Sequence, residues 1–457
     1  SGYYMASPGG EDLFGWHMNR GWEQPPDFFP ASRFRDRFSR PDIVQKVLTT
    51  LDEDAAVAEA NTEAKRKPSE ATPIETRLPP VVRITSPKDG SSLTGATVTL
   101  DYGLRSPSGL AVDAIDVLID GRPLAATRGG ERVDEAAQAA CPGLTTRGLA
   151  RSDAGGPTSE VICRLTVPVP SRAVEIGLIA RAGQITSVPA LVRLTAAAGS
   201  ADTADVLKPK LYILAVGVSD YADPNLTLRY AGADAVAFAK SFEAQKGGIY
   251  REVVSRVLTD RDAGRVAILE GLEWLERQVT ARDVAMVFLA GHGMPDEKGS
   301  FWYLPADARP ASLRSSAVSQ EELRRTLQSI PSKAILFLDA CHAGKAAGAV
   351  ASQTRGQVDI NTLVNELSSS ENGVVTFASS TGRELSEEHA DWGHGAFTKA
   401  LIEGIGEGRA NLLQKGTITL SELDAYVVER VKTLTAGRQH SVMTRPATIS
   451  NFPVALV

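Results

Sequence analysis

Cysteine is scarce in this sequence. Its 457 residues contain three, Cys141, Cys163 and Cys341. That is too few for a disulfide framework or a thiolate zinc site. Cys141 and Cys163 could form one bridge, though two unpaired thiols is the plainer reading. Any sulfur chemistry falls mainly to Cys341. Long apolar runs are also lacking. None approaches the ~20 residues a membrane helix needs, so no membrane span is expected. Charge of one sign is not in large excess. A formal net charge of -6 gives no argument for nucleic acid as a partner. No secretory signal is visible, and a cytoplasmic location is the expectation. The opening "SGYYMASPGGED" does not look like a natural start, so the missing signal says little.

The length suits two to four domains. Residues 1–80 read as an irregular connector, rich in aromatics, arginines and prolines. One stretch stands out: "DIVQKVLTTLDEDAAVAEAN" has apolar residues every three or four positions and predicts one helix over Asp42–Asn61. "TEAKRKPSEATPIETRLPP" reads as an extended linker. Residues 81–197 change character. "VVRITSP", "GATVTLDYGL", "AVDAIDVLIDGRPL", "EVICRLTVPVP" and "AVEIGLIARAG" have strand lengths, separated by turn residues. They predict a small all-β sandwich, immunoglobulin-like in outline. It carries no obvious site, and a spacer or a docking module for a protein partner is the expected role.

Residues 198–209 form a second linker. From 210 to 450 strands and helices alternate, which predicts one three-layer α/β domain with a mostly parallel sheet. "LYILAVGVS" is nearly all apolar, as a strand covered on both faces should be. "EVVSRVL", "DVAMVFLAGHG", "KAILFLD" and "GVVTFASS" are the further strands, and "PATISN" is a candidate for the sheet edge.

In open parallel sheets ligands bind beyond the carboxyl ends of the strands. "VFLAGHG" ends one central strand with His292, and "LFLDACHAG" ends the next with Cys341. If the two strands are neighbours, a thiol and an imidazole emerge side by side. That pairing suits covalent thiol catalysis. The imidazole would take and return a proton near neutral pH. It would also favour the thiolate. The amides of Gly293 and Cys341 could face a developing oxyanion. The competing reading makes Cys341 a small buried residue and His292 a turn residue. Two acids bear on substrate choice. Asp339 precedes Cys341 by two and shares its face by strand alternation. Asp234 begins the first helix of the domain. It is either a helix-terminus acid or the second wall of an acidic pocket. A carboxylate pair would select an arginine or lysine side chain. His342, next to the thiol, points elsewhere and reads as structural. His389, His394 and His440 lack the spacing of a metal set.

"FLAGHG" followed by "LFLDACHAG", with "LRYAGADA" and "GHGAFTKALIEG", resembles the caspase-like cysteine peptidases, in the bacterial metacaspase and orthocaspase branch. The resemblance covers roughly residues 210–450. It implies a caspase–hemoglobinase fold and a dyad of His292 and Cys341. It also implies that Asp339 and Asp234 confer basic rather than aspartate specificity. There are departures. Ala290 stands where metacaspases often have serine. Asp296, Glu297 and Asp307 are the acids that could answer to the family's calcium loops, but none follows Cys341. No cofactor is required, and calcium dependence is left open. The first 80 residues resemble the connector after a WD-repeat propeller in large bacterial relatives, which suggests a piece of a longer polypeptide.

The reaction implied is endopeptide hydrolysis after Arg or Lys, on protein or peptide substrates. Lys345 and Arg355, in the small-residue stretch "GKAAGAVASQTRGQ", are candidate self-cleavage sites. Two alternatives stand beside it. One is a catalytically silent scaffold or regulated interaction module. The other is an acyl transferase or ligase that uses the same thioester.

Overall fold

The computed structural model describes residues 2–63, 73–93, 95–124, 160–170, 172–196, 208–296, 300–342, 360–369, 373–381, 384 and 386–457. The chain divides into two compact units, residues 1–202 and 203–457.

In the first unit, the segment expected to be irregular contains a β-hairpin. Gly15–Met18 pairs antiparallel with Asp27–Pro30. Phe29 and Phe34 are buried with Leu78, and Trp16 packs against them. Each strand has only four residues, too short for alternation to register in the sequence. The single helix expected over Asp42–Asn61 is two helices, Pro41–Thr50 and Glu53–Glu63. Leu51 breaks it at φ 56°, its amide donating to the Val47 carbonyl at 2.9 Å. Asp52 then accepts the Ala55 amide at 3.0 Å and opens the second helix. Aspartate serves better as a cap than inside a helix. The apolar period continued across the break, so the turn was hidden. Ile43, Ala56 and Ala60 pack together where the helices meet.

The described strands between residues 81 and 195 form two sheets around one apolar core. Val81–Ser86, Thr97–Arg105 and Val161–Pro168 make a three-stranded sheet. The second sheet includes Ala114–Ile119, Val174–Ala182 and Ala190–Thr195. Leu100, Tyr102 and Val167 from one sheet pack with Ile115, Ile176 and Leu178 from the other. Arg105 reaches Asp27 at 2.5 Å and ties the N-terminal hairpin to this core. Cys163 is buried and disulfide-bonded, so the reading of two unpaired thiols fails for it. Cys141 lies outside the described residues.

The second unit is a mixed α/β structure around a large, mostly parallel sheet. Its main path runs through β1 (Lys210–Gly217), β2 (Glu252–Thr259), β3 (Val284–Pro295), β4 (Lys333–His342), β5 (Val374–Ala378) and β6 (Val442–Thr444), with the short strands Phe301–Tyr303 and Val318–Ser319 paired off the end of β3. The main strands lie in the order β2-β1-β3-β4-β5-β6, with β6 antiparallel. The edge is therefore β6 and not "PATISN". That stretch turns, with the Ile449 amide on the Pro446 carbonyl at 3.0 Å. A proline at its head can give the ladder no donor.

Among the described residues, the longer helices that cover the sheet are α1 (Ala231–Ser241), α2 (Arg265–Gln278), α3 (Gln320–Ser329), α4 (Ile360–Leu367), α5 (Ala396–Leu401) and α6 (Leu420–Leu434). Alternate residues of each strand face opposite layers. Leu214, Val287 and Leu336 pack with Leu272 of α2, Leu327 of α3 and Leu363 of α4. Ile213, Phe288 and Phe337 pack with Phe238 of α1, Phe397 of α5 and Val427 of α6. In that second layer the Phe238 ring stacks on Phe288 at 4.5 Å, and Phe337 stacks on Phe377 at 5.0 Å. Both faces are buried, which is why the strands read as continuous apolar runs.

Candidate active site

The strand order reverses between β1 and β3. In doubly wound sheets such a reversal opens a crevice at the carboxyl ends. Strand β1 stops at Gly217, opposite Ala290, while β3 and β4 continue together. Two neighbouring strands thus project past the sheet, and His292 and Cys341 are register partners on that extension. Only the backbone of Cys341 and His342 is described.

The loop after β1 builds one side of the site. Asp260 accepts the amides of Ser219 and Asp220 at 2.8 and 3.0 Å and holds the loop's start. Asp223 caps the short turn Pro224–Leu226 by accepting the Asn225 amide at 3.0 Å. The turn brings the Leu226 carbonyl to 2.9 Å from His292 Nε2. A carbonyl can only accept, so Nε2 carries hydrogen and Nδ1 is the basic nitrogen of the neutral ring. The His292 amide donates to the Tyr221 hydroxyl at 2.9 Å, and the two rings lie 5.3 Å apart. His292 is 3 % exposed, so its ring is held by protein rather than by solvent.

The backbone before it is special too. Gly291 has φ +150°, and a Cβ there would lie 2.8 Å from the Tyr221 hydroxyl and 3.1 Å from that of Tyr303. Only glycine fits that conformation and that space. Ala290 lines the pocket, and its carbonyl accepts the Tyr303 hydroxyl at 2.8 Å.

Asp234 and Asp339 come together in one pocket, with Ala290, Gly291 and Gly395 among its walls. Asp339 lies on the β4 face that carries Ile335 and Phe337, so it meets the α1 and α5 layer. Thr398 of α5 donates to Asp339 Oδ2 at 2.9 Å. Asp234 comes from the first turns of α1. Its Oδ2 accepts the Gly395 amide at 3.2 Å, and its Oδ1 lies 2.6 Å from His394 Nδ1. A Cβ on Gly395 would sit 3.3 Å from an oxygen of each carboxylate, which fixes how closely that turn covers both acids.

Burial pushes the Asp339 carboxyl up to about 7, and the nearby Asp234 charge adds to it. Burial also raises Asp234, against the opposing pull of His394 and the Gly395 amide. Like charges near one another resist joint ionisation.

The sequence reading did not single out Tyr221, Leu226, Thr398 or Gly395, and it dismissed His394 for lack of metal spacing. Leu226 acts through its carbonyl, which no residue type announces. His394 lies in "GHGAFTKALIEG", a motif noted only for its resemblance. The acids considered for calcium have other partners. Asp296 accepts the Ser300 amide at 2.9 Å, and Asp307 accepts that of Arg265 at 2.9 Å. Among the described residues no group of three His, Cys, Asp or Glu could hold a metal ion. Nor is any described helix long and apolar enough to cross a membrane. Glu297, Lys345 and Arg355 lie outside the described residues.

Residues 210–452 match the family model of the caspase domain, peptidase family C14. No curated protein matches the chain. Among solved structures, the crystal structure of protein GSU0716 from Geobacter sulfurreducens is similar at 18% identity and TM-score 0.40, over 55% of this chain and 100% of that one. That likeness is too loose to carry an inference.

Proposed function

The chain belongs to the caspase-domain peptidase family, and on that premise we propose that it is a cysteine endopeptidase of the metacaspase and orthocaspase type. It cleaves after arginine or lysine. The observation that carries this reading is the pair of buried carboxylates, Asp234 and Asp339, in one pocket at the strand ends that hold His292 and Cys341.

In the proposed reaction His292 Nδ1 takes the thiol proton, and the Cys341 thiolate attacks the substrate carbonyl carbon. The amides of Gly293 and Cys341 receive the oxyanion. The C–N bond breaks as His292 returns its proton to the departing amine, which leaves a thioester on Cys341. Water then attacks the thioester with His292 as base, and the carboxylic acid and free thiol are restored. Asp234 and Asp339 hold the cationic side chain on the amino side of the cut. No cofactor takes part, and calcium dependence is open to the same assay.

A panel of fluorogenic peptides tests the reading. Arg and Lys peptides should be cleaved by the wild type and not by Cys341→Ala, while Asp peptides remain intact. Silence toward every peptide, with and without added calcium, would overturn it in favour of a silent scaffold. Products joined to a competing amine would indicate an acyl transferase. Self-processing at Lys345 and Arg355 belongs to the same proposal. Mass spectrometry of intact protein should show fragments that K345A/R355A lacks. The two-sheet module of residues 81–197 is proposed as immunoglobulin-like and as the protein-partner surface.

A further inference from the structure

The reaction makes no use of His394, yet this residue is bonded to one of the two buried carboxylates of the pocket. His394 Nδ1 lies 2.6 Å from Asp234 Oδ1, within the range of a charge-assisted bond. The side chain of Asp234 is 3% exposed and that of His394 is 22% exposed. The imidazole therefore stands between a buried acid and solvent. The bond is also pinned at its root. Glu388–His389 pairs with His394–Gly395 in a two-rung hairpin, so the His394 backbone is fixed beside the pocket. The next amide, that of Gly395, occupies the other oxygen of Asp234.

We propose that His394 is a specificity-determining residue: its imidazolium is the resident counter-ion of Asp234, and entry of an arginine or lysine side chain is coupled to loss of a proton from His394. The inference rests on the basic-residue reading of the pocket. Its logic is charge balance. An incoming guanidinium needs both carboxylates ionised and Asp234 Oδ1 at least shared. An imidazolium at that oxygen repels it, whereas a neutral imidazole does not. A cation whose entry releases a proton binds more readily as pH rises.

The other charged groups around His394 are already accounted for. On β4, Asp339 is bonded to Thr398. On the hairpin, Glu388 accepts the amides of Arg229 and Tyr230 at 3.1 and 3.4 Å. His389 is 3.4 Å from Asp391. Glu387 is held by Arg438 through bonds of 2.6 and 2.7 Å. The basic side chain bonded to Asp234 is His394 itself.

Agmatine, a guanidinium without a scissile bond, is the probe. Its binding to full-length Cys341→Ala protein is measured by titration calorimetry from pH 5.5 to 8, in buffers of different ionisation enthalpy. Near pH 6 this protein should release about one more proton per agmatine bound than Cys341→Ala/His394→Gln does. Its Kd should rise toward low pH more steeply, by up to about tenfold per pH unit. His394→Asn is the second variant, should the glutamine protein fold poorly. The ¹⁵N shifts of the imidazole in protein with His394 intact give a third readout, since they should move to the neutral pattern on saturation near pH 6. Equal proton release and parallel Kd profiles, or unmoved ¹⁵N shifts, would overturn the role of His394 while leaving the pocket reading intact. Absence of agmatine binding at any pH would defeat the pocket reading and this proposal with it.

Discussion

The Nε2 nitrogen of His292 lies 2.9 Å from the carbonyl oxygen of Leu226, a residue 66 positions earlier in the chain. This contact decides which nitrogen of the ring can act as base. It is made by the turn after β1, so the His292 ring is oriented by a different segment from the one that carries it. His292→Ala should therefore lower kcat for Arg peptides by roughly 10²–10⁴-fold with a much smaller change in KM. Steady-state kinetics separates the two. A loss confined to KM would contradict the base role.

Tyr221 is the second support of His292. Tyr221→Phe leaves the buried His292 amide without the acceptor it has at 2.9 Å. An unsatisfied buried donor costs about 1–3 kcal/mol. The variant should melt several degrees lower, and kcat should fall several-fold at unchanged KM. Thermal melts with the peptide assay check both parts.

Gly291 should tolerate no side chain. Gly291→Ala places a methyl 2.8 Å from the Tyr221 hydroxyl at φ +150°. The strain of such backbone is on the order of 1–3 kcal/mol before any clash. A lower midpoint in urea and loss of cleavage are expected. A wild-type midpoint would show that the turn adjusts.

Asp339 gives the activity an acid limb. Its carboxyl is pushed up to about 7 by burial and by Asp234. Only the ionised form attracts a cationic substrate side chain. KM for Arg peptides should therefore fall as pH rises from about 6 to 8, tracking ionisation near 7. The profile of KM against pH is the measurement, and a flat profile would remove Asp339 from substrate binding.

The same shift has a cost in stability. A carboxyl raised above its unfolded value of about 3.9 holds a proton in the folded state that the unfolded chain has lost. Between about pH 4 and 7 the folded form binds more protons, so stability declines as pH rises. Asp339→Asn should gain in Tm over the wild type across that window, with the gap constant above about 7. The gap should reach about 5 °C or more, while Arg cleavage is lost. A gap independent of pH would mean that the Asp339 carboxyl is not raised.

The sequence by itself determined the parallel strands of the α/β unit and the residues at their ends. Apolar runs such as "AILFL" can only be buried, and the polar residues that follow them must emerge at the sheet edge. Asp339 and Cys341 were legible for that reason, as was His292 after its own apolar run. The split of the Asp42–Asn61 helix was not legible, because one apolar period spans the break at Leu51. The sequence left Asp234 open between a pocket wall and a helix-terminus acid, and only the packing of α1 against β3 and β4 brings it into one pocket with Asp339. Only the tertiary structure decided the neighbourhood of β3 and β4, the Leu226 carbonyl at His292, and His394 at Asp234. The physical reason is common to all three. Burial is recorded locally, in the period of apolar residues along the chain. A partner contributed by a distant turn, or by a backbone atom, is set by how the layers close, and no local pattern carries it.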